Sequence, residues 1–327
     1  MKKVVIVGAG QFGSRHLQGL ALVKELIEIY VVDVNNDSLQ TSKSRFLDVA
    51  SKHDFRGRIN YINNIKFLPN EFDVAIVACD SLHRKEVIIQ LLNQSMFRFL
   101  ILEKFLFPSI CDYSEVESLL EKRTIKTWVN CTRRMFPTYI NIKKIVQGQT
   151  EIKINVSGSN LNLGSNAVHF VDLFSFLSGE IIPSKVSSMF VPRLFQSKRD
   201  GYIDFFGTLN ISFSNTKQLT ITSFEQGSAP ILIEINSPEF RFMIQETGNS
   251  FLQKANSEKA WVWESEEFTI PFQSNLTNVL VEELFSTGSC RLTEFKNSVQ
   301  HHIPLLKEFT NHYSLVTNKD QHLCPIT

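Results

Sequence analysis

Residues 3–13 read KVVIVGAGQFG, and this stretch decides the fold of the first part of the chain. Residues 4–7 are all apolar and predict a strand, and three glycines follow them at the spacing GxGxxG. Gly8 permits a tight turn, Gly10 lets the backbone approach a pyrophosphate, and Gly13 allows a helix to pack close to the strand. Free N–H groups at the start of that helix attract phosphate. The stretch therefore predicts a dinucleotide-binding turn.

An acidic residue stands where such a turn needs one. Asp33 follows a second apolar run at residues 27–32 and comes 20 positions after Gly13. A carboxylate there accepts hydrogen bonds from ribose hydroxyls and repels a 2′-phosphate, so we expect NAD as the cofactor. Lys43 and Arg45 in the following helix would weaken this preference, and NADP therefore stays possible.

Short apolar runs alternate with helical patterns through residues 1–128. Strands are predicted at residues 3–7, 27–32, 59–62, 74–78, 99–102 and 125–129, and helices at 12–23, 37–52, 83–92 and 111–121. Apolar strands separated by helices indicate a parallel sheet covered on both faces, with right-handed crossovers. Residues 1–128 are therefore predicted to form an α/β Rossmann domain, a doubly wound parallel sheet.

The pattern changes in the remainder of the chain, residues 129–327. Apolar and polar residues alternate strictly at 208–213, 231–236 and 240–245, and helices are predicted at 138–146, 167–177, 276–285 and 293–316. Period-two alternation indicates antiparallel strands with one packed face. We expect an α+β domain with a largely antiparallel open sheet, which would bind substrate and mediate oligomerisation.

Composition and charge exclude several classes of protein. The 34 basic and 33 acidic residues give a net charge of +1, which disfavours nucleic acid as a partner. No apolar run approaches the roughly 18 residues of a membrane span. The first strand begins too near Met1 to leave room for a signal peptide, so a cytoplasmic location is expected. Five scattered cysteines predict free thiols and no metal site, and His301 and His302, without partners at metal spacing, are expected to face solvent.

Three more stretches carry a resemblance to a known family. Residues 73–83 read DVAIVACDSLH, a later strand ends in Glu103 and Lys104, and residues 130–137 read NCTRRMFP. Together with the glycine-rich turn and His16, they resemble the Gfo/Idh/MocA family of oxidoreductases (glucose–fructose oxidoreductase, inositol dehydrogenase and relatives). The resemblance covers nearly the whole chain and is most specific in the first 137 residues.

The resemblance implies roles for residues in the first domain. Lys104 would meet both the nicotinamide and the substrate carbinol, and a partly desolvated lysine can move protons near neutral pH. Phe105 stands where the family has a proline. The cofactor-binding residues would be Gly8, Gly10, Gln11, Phe12, Gly13, Asp33, Ser81, His83 and Glu103.

Residues in the second domain complete the expected catalytic set. Asn166, His169 and Asp172 share one face of a predicted helix. By resemblance His169 would be the proton relay, with Asn166 and Asp172 orienting it. The ordinary pKa of an imidazole, about 6.5, suits proton transfer near neutral pH. The family has an acid where this chain has Ser165. The adjacent arginines Arg133 and Arg134 could bind an anion of the substrate or cofactor through bidentate hydrogen bonds. They could equally form an interdomain salt bridge.

Taken together, the resemblance implies an NAD(P)-dependent oxidoreductase of sugar metabolism. It would transfer hydride between nicotinamide and a carbinol or carbonyl of a sugar, sugar derivative or cyclitol. The substrate would lie beyond the carboxyl ends of the parallel strands. Family members commonly pair through the second domain's sheet, so a homo-oligomer is expected. The alternative is a non-catalytic dinucleotide-binding regulator or scaffold on the same fold, which the replacements at Phe105 and Ser165 keep open.

Overall fold

The chain divides into two compact units. The computed structural model describes residues 1–53 and 55–327. The first unit comprises Met1–Phe107, Cys111–Thr132 and Pro271–Phe295, and the second comprises Pro108–Ile110, Arg133–Ile270 and Lys296–Thr327.

The division differs from the expected one at a single long segment. The sequence placed everything after residue 128 in the second domain, but Pro271–Phe295 belongs to the first unit. It does so because Thr293 and Glu294 pair with the first unit's sheet and its helical part packs against the helix that follows the glycine-rich turn.

The secondary-structure elements alternate in the first half of the chain and become strand-rich in the second. The helices are α1 (Gln11–Leu20), α2 (Asn36–Ala50), α3 (Ser81–Gln94), α4 (Ile110–Lys122), α5 (Pro137–Val146), α6 (Leu163–Ser178), α7 (Thr277–Thr287) and α8 (Phe295–Thr317). The strands are β1 (Lys2–Val7), β2 (Ile27–Val32), β3 (Arg58–Ile62), β4 (Glu71–Val77), β5 (Met96–Leu102), β6 (Lys126–Val129), β7 (Ile152–Ser159), β8 (Lys185–Phe190), β9 (Phe195–Gln196), β10 (Ile203–Asp204), β11 (Gly207–Ser212), β12 (Lys217–Phe224), β13 (Leu232–Asn236), β14 (Phe240–Gln245), β15 (Phe251–Asn256), β16 (Glu264–Glu266) and β17 (Thr293–Glu294).

The first unit contains the predicted doubly wound sheet. Its strand order is β17-β6-β5-β4-β1-β2-β3, and β1 to β6 all run parallel. The apolar residues of β1 are all buried, as expected for a strand covered on both faces. Because the strands are parallel, the residues that follow β1, β2, β4, β5 and β6 lie along one edge of the sheet. This confirms the predicted Rossmann domain.

The second unit contains a larger sheet of the order β16-β15-β14-β13-β7-β12-β11-β8. Neighbouring strands are antiparallel except for β7 and β12, which run parallel. Along β11, Leu209 and Ile211 are buried and Asn210 is half-buried, which matches the alternation in the sequence. Helix α6 packs against β7 and β12. The prediction of a largely antiparallel open sheet is therefore confirmed.

The expectation that His301 and His302 face solvent is wrong. Their exposed fractions are 1% and 0%. Both lie on α8, where buried residues recur at 298, 302, 305 and 309. That spacing of three and four is the buried stripe of a helix, and the histidines belong to it.

Among the described residues, no helix combines the length and the apolar character needed to cross a membrane.

Candidate cofactor and active-site residues

The glycine-rich turn has the geometry that its spacing predicts. Gly8 has φ +98°, a backbone conformation that favours glycine, and its N–H donates to the Val32 carbonyl at 2.8 Å. A Cβ on Gly13 would lie only 1.7 Å from the Gly8 carbonyl oxygen. The first turn of α1 thus packs directly against the loop, at a separation that only glycine permits.

Gly10 leaves open space where a phosphate would approach. Apart from Gly10 and the adjoining backbone, no described atom lies within 4 Å of a Cβ placed on it. Gly10 is also the N-cap of α1, and a glycine has no side chain to accept a hydrogen bond from the first-turn N–H groups. These donors, the positive end of the helix dipole and the open space fit the pyrophosphate of a dinucleotide. Gln11 and Phe12 begin the helix beside it, and Phe12 is 46% exposed.

Asp33 is held by the glycine-rich turn itself. Its Oδ2 accepts from the Ala9 N–H at 2.7 Å, and its Oδ1 accepts from the Asn35 N–H at 2.8 Å. The carboxylate is thereby fixed at the end of β2, where a ribose would bind. The structure brings Asp33 and the three glycines together as the sequence predicted.

The two cations that could attract a 2′-phosphate have other partners. Arg45 donates through Nη1 to Gln11 Oε1 at 2.9 Å and to Ser14 Oγ at 2.6 Å. The ammonium of Lys43 lies 6.0 Å from the ring centroid of Tyr61, at the end of β3.

Ser81 and His83 lie in the first turn of α3, directly after β4. Asp80 caps this helix and accepts from the His83 N–H at 3.1 Å. His83 Nδ1 lies 2.8 Å from the same Asp80 oxygen, and its side chain is 74% exposed. Ser81 is only 1% exposed. The imidazole of His83 is therefore exposed at the sheet edge where β4 ends, and the side chain of Ser81 is buried there.

Lys104 lies near the start of α1. Its ammonium is 5.8 Å from the ring centroid of Phe12, which places it close to the glycine-rich turn. The Lys104–Phe105 peptide bond is cis.

The backbone after Lys104 is fixed by one buried arginine. Arg84, 1% exposed, donates to the carbonyl oxygens of Phe105 and Leu106, the latter at 2.8 Å. Its Nη2 donates to the Cys79 carbonyl at 2.5 Å. Arg84 therefore joins the loop after β4 to the loop after β5 and holds the turn that presents Lys104.

Glu103 is a buried carboxylate. It is 4% exposed, and its Oε1 lies 2.8 Å from His16 Nε2 and accepts from Asn130 Nδ2 at 2.6 Å. Burial alone would raise the pKa of Glu103. Hydrogen bonds from His16 and Asn130 and the charge of Lys104 outweigh burial, and the pKa lies below its ordinary value.

The expected second-domain residues lie on α6. Asn166 and His169 are half-buried, and Asn166 Nδ2 donates to the Leu161 carbonyl at 2.6 Å. Asp172 is fully buried. Its two oxygens accept from Arg134, Oδ2 from Nε at 2.9 Å and Oδ1 from Nη2 at 3.1 Å.

The neighbouring arginine is paired in the same way. Arg133 donates to both oxygens of Glu246, with Nε to Oε1 at 2.9 Å, and Tyr139 donates to Oε1 at 2.6 Å. Burial would raise the pKa of Glu246, but the charge and hydrogen bonds of Arg133 lower it. Burial and the Glu246 charge raise the pKa of Tyr139. Both arginines are thus bound to carboxylates of their own unit.

A carboxylate lies beside Ser165 although the helix itself carries none there. Asp204, at the end of β10 and 1% exposed, accepts from the Gly164 N–H at 2.7 Å and from Ser165 Oγ at 3.0 Å. Ser165 is one turn before His169. An acid from a distant strand therefore caps the helix that carries His169.

Some of these residues carry a sequence signal and others do not. Arg84 is the second residue of the helix predicted at residues 83–92, where an arginine is typical of an exposed position. Asp204 and Gln273 lie 39 and 143 residues from the groups they contact, and their local sequence gives no indication of the contact. Within the described part of the chain, no group of three or more His, Cys, Asp or Glu residues could hold a metal ion.

Comparison with known proteins agrees with this arrangement. Residues 2–131 match the model of an oxidoreductase family with an NAD-binding Rossmann fold, GFO_IDH_MocA. The comparison with curated proteins gives no match.

Solved structures of low sequence identity share the fold. An oxidoreductase from Agrobacterium radiobacter in complex with NAD+, L-tartaric acid and magnesium is 12% identical, with a TM-score of 0.69 over 97% of this chain and 96% of its own. UDP-N-acetylglucosamine 3-dehydrogenase from Acidithiobacillus ferrooxidans is 12% identical, with a TM-score of 0.68 over 94% and 96%. The transcriptional regulator Gal80p from Kluyveromyces lactis is 15% identical, with a TM-score of 0.70 over 99% and 94%. Residues 2–131 are therefore similar to the NAD-binding Rossmann domain of the Gfo/Idh/MocA family of oxidoreductases.

Proposed function

We propose that this protein is an NAD-dependent oxidoreductase that acts on a carbinol or carbonyl carbon of a sugar, sugar derivative or cyclitol. The observation that carries the proposal is the position of Lys104, whose ammonium lies 5.8 Å from the Phe12 ring at the start of the dinucleotide-binding helix. A cation beside the cofactor's helix can meet the oxygen of a substrate whose carbon exchanges hydride. The bound nicotinamide supplies or accepts that hydride.

Lys104 in this proposal polarises the substrate oxygen and shares its proton. Arg84 fixes the backbone that follows Lys104, and the charge of Lys104 helps to keep the pKa of the neighbouring Glu103 carboxyl below its ordinary value. Fixed charges of this kind lower the barrier because they need no reorganisation during the reaction.

His169 is proposed as the proton donor and acceptor, and Asn166 as a group that orients it or the substrate. Asp172 supports this helix because its carboxylate is fully buried and binds Arg134 in a bidentate pair. Since both arginines are bound to carboxylates, the proposal does not require an anionic substrate at Arg133 or Arg134.

The cofactor is proposed to be NAD in preference to NADP. Asp33 is held by the Ala9 and Asn35 N–H groups, so its charge cannot move away from a 2′-phosphate. Replacement Asp33→Ser should keep the turn and improve the NADP-to-NAD affinity ratio by at least about tenfold, which corresponds to about 1.4 kcal/mol. Binding of each nucleotide, measured by calorimetry, checks this, and an unchanged ratio would remove Asp33 from the discrimination.

The second candidate is a non-catalytic dinucleotide-binding regulator. Ser165 in place of an acid favours it, as does the shared fold of Gal80p, which is a transcriptional regulator. The presence of Asp204 beside Ser165 favours the enzyme, because it restores a carboxylate near that turn of α6.

A turnover assay separates the two candidates. The enzyme should oxidise or reduce at least one member of a panel of sugars, nucleotide sugars and cyclitols in the presence of NAD or NADH. Lys104→Ala and His169→Ala should each reduce kcat by at least about 100-fold, as expected for loss of a general acid or base. Both variants should still bind NADH. NADH binding without turnover of any panel member would favour the regulator.

A second copy of this chain is the proposed macromolecular partner, through the sheet of the second unit. Along β11 and β12 of this sheet, the side chains that alternate with the buried residues are uncharged and mostly carry hydroxyl or amide groups, and some bond to one another, as Thr208 does to Thr222 at 3.1 Å. Such a face can be buried without unpaired charges. Light scattering should give a dimer or higher oligomer, and Thr220→Lys on this face should shift it toward monomer.

A further inference from the structure

A closed ring of hydrogen bonds lies next to Lys104 in the first unit. His16 Nε2 lies 2.8 Å from Glu103 Oε1, which also accepts from Asn130 Nδ2 at 2.6 Å. Asn130 Nδ2 donates to Gln273 Oε1 at 3.1 Å. Gln273 Nε2 donates to Thr277 Oγ1 at 3.1 Å, and that hydroxyl lies 3.0 Å from His16 Nδ1, which closes the ring.

Four of the five members of the ring are shielded from water, and the fifth, Gln273, is half-buried. The exposed fractions are 0% for His16 and Thr277, 3% for Asn130 and 4% for Glu103. A buried polar network of this kind rigidifies its members when every bond is made, and it is costly when one is lost.

The bonding pattern fixes the proton on His16. Gln273 Nε2 is an amide donor, and it lies 3.5 Å from His16 Nδ1. Nδ1 therefore serves as an acceptor for the amide and for the Thr277 hydroxyl, and Nε2 carries the proton that is donated to Glu103. In this arrangement Glu103 receives two hydrogen bonds on one oxygen and remains a carboxylate.

The segment Pro271–Phe295 supplies two of the five members at a fixed distance from α1. A Cβ on Gly19 of α1 would lie 2.7 Å from Thr277 Cβ and 3.1 Å from the Ser274 carbonyl oxygen. The backbones of these two segments therefore approach each other as closely as a glycine allows, and Thr277 cannot shift relative to His16 without disturbing α1.

We infer that Gln273 and Thr277 are positioning residues for Glu103 and, through it, for Lys104. They orient His16, which lies in α1, and Asn130, which directly follows β6. The carboxylate of Glu103 thereby stays charged and immobile beside the Lys104 ammonium. This inference rests on the proposed function, in which Lys104 meets the substrate oxygen.

Variants of Thr277 test the inference by turnover with whichever panel member the wild-type protein accepts. Thr277→Val keeps the shape and removes the hydroxyl. It should lower kcat about tenfold while KM and the Kd for NADH stay within about twofold. Thr277→Ser restores the hydroxyl and should recover most of the loss. Thr287→Val makes the same chemical change on an exposed position of α7 and should match wild type.

Labelling of lysines gives a readout that needs no substrate. The rate at which acetic anhydride modifies Lys104, followed by mass spectrometry, depends on its position and on the neighbouring carboxylate. Lys126 of the same unit, which donates to the Gly288 carbonyl at 3.1 Å, provides the internal reference. Thr277→Val and Gln273→Leu should each change the Lys104-to-Lys126 rate ratio by at least about threefold, and Thr287→Val should not.

The outcomes separate this inference from the proposed function. If the wild-type protein turns over no panel member, the proposed function fails and the labelling ratio alone decides the role of the ring. If turnover is found but Thr277→Val changes neither kcat nor the labelling ratio, Gln273 and Thr277 are structural only and the inference is overturned. An equal loss in Thr287→Val would also overturn it.

Discussion

Replacement of Arg84 by methionine tests how the turn after Lys104 is held. Arg84 is 1% exposed and donates to three backbone carbonyls, those of Cys79, Phe105 and Leu106. Methionine has a similar reach and no donor. The carbonyls of Phe105 and Leu106, both residues fully buried, would then lose their guanidinium partner.

The expected loss of stability follows from two opposing contributions. A buried polar group deprived of its partner costs about 1–3 kcal/mol, so three carbonyls would cost about 3–9 kcal/mol together. The variant no longer buries a guanidinium, whose desolvation costs several kcal/mol and lowers the pKa of Arg84 in the folded protein. We expect a net destabilisation of about 3–5 kcal/mol.

Urea unfolding measures this change, as a lower midpoint at unchanged slope. Arg123→Met is the matched control, because Arg123 also donates to a backbone carbonyl, that of Leu92, but is exposed. Its loss should cost less than about 1 kcal/mol. Equal effects of the two substitutions, or a loss below about 1 kcal/mol for Arg84→Met, would refute the idea that Arg84 holds the turn.

Three further predictions concern the glycine-rich turn and the buried charges. Gly13→Ala should destabilise the protein by about 1–3 kcal/mol or more in urea unfolding, because the new methyl would overlap a carbonyl. Gly10→Ala should fold normally and weaken NADH binding about tenfold or more in a fluorescence titration. A larger loss of stability in Gly10→Ala than in Gly13→Ala would contradict both expectations. Asp172→Ala leaves the Arg134 guanidinium partly buried without its carboxylate and should cost about 3–5 kcal/mol in urea unfolding; a loss under about 1 kcal/mol would show that the pair adds nothing. Burial lowers the pKa of His301 from 6.5 to about 4. Between these pH values the imidazole is protonated in the unfolded chain but not in the folded protein, so the free energy of unfolding should fall by roughly 3 kcal/mol as pH decreases from about 6.5 to 4. His301→Leu should remove this pH dependence.

The first sheet could be predicted closely because its strands are short, apolar and separated by helices. The predicted strand at residues 27–32 has the observed bounds, and β1 differs by one residue. The glycine-rich turn and Asp33 were predictable for the same reason: each role depends on residues a few positions apart or on one strand end.

Contacts between distant parts of the chain could not be predicted. Thr277 reaches His16 across 261 positions, and Asp204 reaches Gly164 from a two-residue strand too short to leave a pattern. The apolar spacing along α8 predicts a buried stripe, whereas the absence of partners at metal spacing, on which the solvent-facing prediction for His301 and His302 depends, carries no information about burial.

The return of Pro271–Phe295 to the first unit has a consequence for how the protein is made. At about 5–20 residues per second, the ribosome needs on the order of 10 s to synthesise residues 133–270 before this segment follows. During that interval the parallel sheet lacks β17 on one edge, His16 lacks Thr277 and Asn130 lacks Gln273. The nascent first unit therefore has an unpaired strand edge and two buried polar side chains, His16 and Asn130, that each lack a partner until the later segment arrives. We expect a nascent chain stalled at residue 270 to be more sensitive to protease within residues 1–132 than one stalled beyond residue 327.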